Sequence, residues 1–306
     1  MGRYIIERVL QAIPVIVLTT LAVFLLLHLA PGDPVRMMAT PTATAEDLAN
    51  LRARFGLDQP LPVQYGRWIS AALRGDLGES LRSGAPVLEI LPERYWNTIR
   101  LTLVSMALAI VVGGLAGVIS AAKAGSPLDL LTTTVAVAGL SIPPFWLGLM
   151  LILLFSVTLG WLPAGGGDSW RHLILPAISL GAATAAIIAR MVRSTLLEVL
   201  RTDYLRTGRA KGIREQALLF GHALPNALIP TVTVVGLQFG TLLAGAVITE
   251  VVFSWPGVGS LLVTSILNRD FPLVQATLLT VSLTFIVINL LTDLVYFWID
   301  PRIRIE

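Results

Sequence analysis

Long runs poor in charge alternate along this chain with short polar stretches, and the lengths of the runs define its elements. Residues 9–29 form the first, followed by 101–122, 130–159, 173–189, 227–249 and 276–299. About 20 apolar residues in a helix cross a hydrocarbon core of roughly 30 Å. The pattern therefore predicts an all-α membrane protein with six transmembrane helices. Arg3 and Arg8 precede the first run as in a signal peptide, but 21 residues exceed the usual apolar segment of one, and "HLAPGDP" is a poor cleavage site. The first run is expected to remain as an anchor.

The polar stretches carry helical patterns of their own. In the loop 30–98, Thr44 followed by Glu46 and Asp47 reads as a cap with an acidic first turn, Leu48, Leu51 and Phe55 recur at helical spacing, and Gly56 with Pro60 ends the segment. A second short helix is expected to carry Trp68, Ile69 and Leu73 on one face before "GDLGES" at 75–80 turns the chain. Such helices form either a lid on the bundle or a docking surface.

Within the spans, Gly113 with Gly117 and Gly236 with Gly240 are spaced for close helix packing. "SIPPFW" at 141–146 interrupts the third run, so a kink is expected there, either a bend around a pathway at Ser141 and Pro143 or the consequence of a long tilted helix. Asp293 is the one carboxylate well inside a predicted span and shares a face with Asn289 and Tyr296, which leaves a structural role near the interface or an ion site. His28 falls at the outer end of its span, as an interfacial side chain does.

Composition agrees with the pattern: 55% of the 306 residues are hydrophobic and 13% charged, far from the balance of a soluble domain. No cysteine is present, and the histidines at 28, 172 and 222 are too far apart for a local metal motif. The net charge of +3 follows from topology rather than from nucleic-acid binding. With residues 1–8 inside, Arg3, Arg8, Lys123, seven basic residues in 190–214, Arg302 and Arg304 lie on the inner side, and only Arg171 and Arg269 in the short outer loops. Both termini and the segment 190–226 are then cytoplasmic, and the loop 30–98 is extracytoplasmic.

A phosphate loop needs Gly-Lys-Ser/Thr, and the two lysines, Lys123 and Lys211, each follow alanine, so this chain lacks that ATPase site. No inverted halves or buried carboxylate chain support a gradient-driven transporter, and no catalytic cluster beyond the Asn289 face supports an enzyme; a channel would conduct without turnover. The segment "YLRTGRAKGIREQALLFGHALPNALIP" at 204–230 is more informative. Gly212, Pro225 and Pro230 predict helix, break, short helix, break, helix, with Ile213, Ala217, Leu218 and Phe220 beside Arg214 and Glu215. The segment is either a docking element for another protein or a basic loop that satisfies topology and touches anionic lipid.

The spacing from "RTGRAKG" to "HALPNALIP", with Gly212 thirteen residues before Pro225, resembles the EAA signature of permease subunits of ABC importers. "PGDP" (31–34), "FGLDQPL" (55–61), "GDLG" (75–78), "RMVRSTLLEVLRTDYLRTGRAKG" (190–212), "FSWPGVG" (253–259) and "DPRIR" (300–304) extend the resemblance to the dipeptide, oligopeptide, glutathione and nickel branch over nearly the whole chain. Chain length and "GWLPAGGGDSW" (160–170) are most similar to the glutathione type. Where the signature has Glu-Ala-Ala this chain has Arg206, Thr207 and Gly208.

The resemblance implies a type I ABC importer permease fold, with a core over 99–299 and a cytoplasmic tail at 300–306. It implies a second homologous permease, two ATPase subunits that bind ATP and magnesium, and an extracytoplasmic solute-binding protein, in a bacterial-type inner membrane. This chain itself would be non-catalytic and hold no cofactor. ATPase docking would fall to a coupling helix around 212–224 and its flank: Arg206, Thr207, Gly208, Arg209, Ala210, Lys211, Gly212, Ile213, Arg214, Glu215, His222, Leu224 and Pro225. The cargo would be a peptide or glutathione, with nickel the alternative, and Ser141, Pro143, Gln238, Asn289 and Asp293 are candidate pathway residues.

Overall fold

The computed structural model describes residues 2–29, 44–55 and 58–299, and among them almost everything is helix. In chain order the helices are α1 (Gly2–Leu29), α2 (Ala45–Phe55), α3 (Leu61–Leu73), α4 (Val87–Ala122), α5 (Pro127–Ser141), α6 (Pro144–Leu151), α7 (Arg171–Leu200), α8 (Asp203–Ala210), α9 (Glu215–Leu218), α10 (Leu224–Val252), α11 (Val258–Leu267) and α12 (Phe271–Ile299). Wider π-helical turns extend α6 through Ile152–Thr158 and join α9 to α10 through Leu219–Ala223. The only extended pairing among the described residues is an isolated bridge between Glu79 and Pro86.

Four of these helices are long and apolar enough to cross a membrane, and a fifth crossing is available if α5 and the extended α6 count as one span. The apolar part of α1 with described side chains, Leu10–Leu25, is shorter. The single kinked span expected over 130–159 is instead two helices meeting at 105°. Two consecutive prolines explain the corner: Pro143 and Pro144 hold Ile142 and Pro143 extended, with ψ of 122° and 135°, and Pro144 then starts a new helix.

The chain divides into two compact units. One comprises 1–96 and 257–287. In it, Thr44 caps α2, accepting from Asp47 N–H at 3.2 Å while Asp47 Oδ2 accepts from Thr44 N–H at 2.9 Å. These bonds from Thr44, the backbone one first, hold the Asp47 carboxyl below its ordinary value. Tyr65 and Trp68 of α3 pack on Phe24 of α1, and Tyr65 shares a 2.8 Å hydrogen bond with Thr20. Leu73, expected on that face, is instead 84% exposed. The turn at "GDLGES" is present, with Gly75 and Gly78 at φ of 83° and 82°. Asp270, ahead of α12, accepts from Ser80 Oγ at 2.5 Å and Leu81 N–H at 3.1 Å, which fastens the loop over the cluster of Val87, Leu91, Leu273 and Ala276.

The second unit comprises 97–256 and 288–306, and α7 is its centre. More than half of the apolar window of α7 is buried, against a third or less in the other three long helices. Lipid tails are as apolar as leucine, so helices in a bilayer associate through close packing rather than hydrophobic transfer. Here, as the spacing predicts, a Cβ on Gly113 would collide with Ala185 O, and one on Gly117 would lie 2.6 Å from Ala189 O; Gly181 of α7 faces Ser105 O of α4 in the same way. Gly236 approaches Thr292 of α12. Buried and half-buried hydroxyls find carbonyls, as the scarcity of water demands: Thr102 on Thr98 O at 2.9 Å, Ser105 on Leu101 O at 2.8 Å and the half-buried Thr195 on Ala227 O at 3.0 Å.

Candidate functional site

The segment between α7 and α10 is shaped by its helix ends. Thr202 turns extended after α7 and donates its hydroxyl to Val199 O at 2.6 Å, and Asp203 opens α8 as an acidic first-turn residue. At the other end of α8, Gly212 has φ +76°. Its N–H bonds Arg209 O at 2.9 Å and Ile213 N–H bonds Gly208 O at 3.2 Å, the pair of bonds of a Schellman cap. A Cβ on Gly212 would meet nothing within 4 Å, so the backbone sign alone calls for glycine here.

One side of the segment is buried. Leu205, Leu218, Ala223 and Ala227 cluster with Ala121 at the end of α4 and Leu196 of α7. Gly208 lets α9 lie flush, since a Cβ there would come within 2.6 Å of Leu218 Cδ2. The other side carries Arg206, Thr207, Arg209, Ala210, Lys211, Arg214, Glu215 and His222, all exposed, together with the apolar surfaces of Tyr204, Ile213 and Phe220. Arg209 ties the turn together: Nε and Nη2 reach Glu215 at 2.8–3.3 Å and Nη1 donates to Leu200 O at 3.2 Å. An exposed pair of this kind contributes about 0–1 kcal/mol, so it sets shape more than stability.

The break expected at Pro225 does not occur. Leu224 is half-buried, Pro225 is exposed in the first turn of α10, and the helix runs on from Glu215. Proline lacks the N–H that would bond Gly221 O, and the chain absorbs the loss by widening one turn: Leu224 N–H bonds Leu219 O five residues back, and Asn226 Nδ2 donates to His222 O at 2.8 Å. The short helix is thus the first part of a 38-residue rod.

A second polar region lies at the far end of α10. Glu250 is fully buried and accepts from Thr98 Oγ1 at 2.5 Å. Trp255, also buried, donates Nε1–H to Asn97 O at 3.1 Å, and the Arg100 guanidinium lies 5.1 Å above its ring. Phe253 fills the space left by Gly148. Three consecutive glycines of "GWLPAGGGDSW", Gly165 to Gly167, are pressed on this turn: Gly166 N–H bonds Phe253 O at 3.0 Å, and Cβ atoms on Gly165 and Gly167 would collide with Phe253 O and Pro256. Two motifs separated by some ninety residues therefore form one structure.

Sequence reasoning missed Glu250, which falls one residue beyond the predicted end of its run although α10 continues to Val252. It also missed Asp129, which is buried at the start of α5. Arg193 of α7 grips Asp129 with two bonds of 2.7 and 2.8 Å, Ser120 of α4 donates to the same carboxylate, and Gly125 N–H adds a bond at 2.9 Å. The available signal was "SPLD" at 126–129, a capping pattern that Ser126 Oγ completes on Asp129 N–H. Of the pathway candidates, Ser141 and Pro143 sit at the α5–α6 corner, Gln238 is half-buried on α10, and Asn289 is exposed on α12. No described hydrogen bond brings these together. The side chains of Asp293, Tyr296 and His28, and the segments 31–34 and 300–304, lie outside the described residues.

Residues 1–102 match the family described as the N-terminal part of binding-protein-dependent transport system membrane components, and residues 113–305 match the binding-protein-dependent transport system inner membrane component family. The glutathione transport system permease protein GsiC of Escherichia coli (strain K12) and that of Salmonella paratyphi A are each 48% identical to this chain over 304 residues, 99% of this chain and of theirs. Among solved structures, an inward facing MetNI methionine ABC transporter is similar with a TM-score of 0.60 at 22% identity, covering 70% of this chain and 97% of its own. An amino acid ABC transporter with histidines gives 0.56 at 15%, covering 68% and 93%. At these identities the two structures bear on the fold, which is that of ABC importer permeases. The chain belongs to the family of binding-protein-dependent transport system inner membrane components.

Proposed function

We propose that this chain is the transmembrane permease subunit of an ATP-driven importer, that it carries glutathione or a small peptide, and that it is driven through the segment 203–223. One observation carries the driving role: the segment is anchored on α4 and α7 by a buried face and covalently continuous with the rod of α10, while its other face offers cations and apolar rings. A partner bound to that face moves α10 directly. The cargo follows the GsiC relatives, which match this chain end to end.

In this reading six helices cross the inner membrane with both termini in the cytoplasm, and a second permease completes the pathway. Two ATPase subunits, holding ATP and magnesium, seat the segment 203–223, and a solute-binding protein delivers cargo from outside. ATP binding favours one arrangement of the bundle and hydrolysis the other; the ATPase shifts the bundle only by its differential affinity for the two, so the docked segment stays seated through the cycle. The chain contributes shape and contacts rather than catalysis.

Gly212→Pro tests this. Proline requires φ near −65° where the backbone has +76°, and it removes the N–H that bonds Arg209 O. In vesicles holding the whole transporter and its binding protein, the variant is expected to insert normally and to hydrolyse ATP without uptake of glutathione. Uptake at the unsubstituted rate would refute the coupling role.

A further inference from the structure

Between α4, α5 and α7 lies a crevice of about 190 Å³ whose two ends differ in chemistry. Arg190, Arg193 and Ser120 line one end, and Ala116, Leu140 and Ala186 line the other. The polar end sits where three helices reach the same edge of the bundle: Ser120 is two residues from the end of α4, Asp129 is in the first turn of α5, and Arg190 and Arg193 lie within the last eleven residues of α7. Arg193 spends Nε and Nη2 on Asp129, which leaves Nη1. Arg190 is three residues away on the same helical face, exposed, and no carboxylate pairs with it among the described residues. The end therefore carries one uncompensated positive charge and unused guanidinium donors. Toward the apolar end the wall continues along α5, where Val135 and Val137 are exposed.

From this geometry we infer a binding site for an anionic phospholipid, with the headgroup phosphate on Arg190 and Nη1 of Arg193 and an acyl chain along α5. Pockets that enclose a drug-sized ligand span roughly 300–1,000 Å³, so this one is too small for a whole tripeptide. It suits a phosphate and the first part of a chain, the remainder of which lies on the exposed valines of α5. A basic pocket between helices at the membrane edge is also where anionic headgroups concentrate, with each arginine or lysine near the surface contributing about fivefold in affinity. The bound phosphate would complete the polar cluster of Ser120, Asp129 and Arg193 and so stiffen the ends of α4, α5 and α7 on which the segment 203–223 rests. The site does not depend on the cargo or on ATP.

The assembled transporter, extracted from nanodiscs of equal phosphatidylglycerol and phosphatidylcholine, is examined by native mass spectrometry. Phosphatidylglycerol is expected to be retained over phosphatidylcholine. Arg190→Gln should lower retention about fivefold, Arg190→Lys should restore most of it, and Arg171→Gln, at the other end of α7, should leave it unchanged. A phosphatidylglycerol with a photoreactive acyl chain should label 136–141 in the unsubstituted protein and not in Arg190→Gln. Equal retention of the two lipids, or retention insensitive to Arg190→Gln, overturns the site. So does loss of labelling only when the second permease is present, which would make the crevice a subunit interface, or displacement of the lipid by glutathione, which would make it part of the pathway.

Discussion

The two motif-rich turns that bracket α10 use glycine for opposite reasons. At the segment 203–223 the glycine that matters, Gly212, has open space around it and a left-handed backbone. At the turn 253–256 the constraint is space: Gly165 carries no positive φ, and a Cβ there would collide with a backbone carbonyl. The left-handed residue that ends α10 is Ser254, at φ +47°, where its N–H bonds Val251 O at 3.2 Å and Trp255 N–H bonds Glu250 O at 2.8 Å. The first turn leaves its side chains exposed and the second buries Phe253 and Trp255 against its own unit. A helix end whose side chains stay exposed is relieved through the backbone, whereas one that is packed is relieved by deleting side chains around it.

The largest effect is therefore expected at the packed turn. Gly165→Ala places a methyl against Phe253 O, and neither backbone can yield without breaking the Gly166 to Phe253 hydrogen bond. Overpacking costs about 1–3 kcal/mol, and a clash with backbone that cannot yield belongs at the upper end. Thermal unfolding of the detergent-solubilised protein should fall by several degrees, and an unshifted transition would mean that the glycine loop is not seated on the turn.

Gly212→Ala comes next. No atom is in the way, so only the left-handed conformation is penalised, at about 1–2 kcal/mol, and Gly212→Asn should cost less because asparagine tolerates that conformation. If alanine and asparagine proved equally harmful, or if Gly212→Ala cost more than Gly165→Ala, the contrast between backbone relief and side-chain relief would fail. The comparison needs only unfolding midpoints of three variants.

Much of this was readable along the chain, and what was not has a common cause. The Thr44 cap, the four-residue spacing of Gly113 and Gly117 and the glycine turn at Gly212 are local signals, held by residues within one or two helical turns. Asp129 and Arg193 are 64 residues apart, and the glycine loop meets Phe253 across an even longer separation. Such pairings follow from how helices stack rather than from periodicity. Proline misled in both directions. Pro143 and Pro144 together make a 105° corner where one kink was expected, whereas Pro225 makes no break because a π-helical turn takes up its missing donor. A proline announces a lost hydrogen bond, and the surroundings decide whether the chain bends or widens.

The smallest effect is expected where this chain departs from its signature. Gly208 stands where the resemblance has alanine, and a Cβ there would approach Leu218 Cδ2, the flexible tip of a side chain rather than backbone. Gly208→Ala also improves the interior of α8, since alanine exceeds glycine in a helix by about 0.8–1.0 kcal/mol. Crowding at Leu218 opposes that gain, so the net change in stability should be under about 1 kcal/mol in either direction. What should move is the seating of α9. Leu218 is buried against α4 and α7, and pushing it outward tilts the exposed face that bears Arg214 and Phe220. Reconstituted transporter with Gly208→Ala should therefore unfold as the unsubstituted protein does while transporting less per ATP hydrolysed. A variant that lost stability without losing coupling would place Gly208 with the packed glycines at Gly165 and Gly167, and the distinction between the two turns would no longer hold.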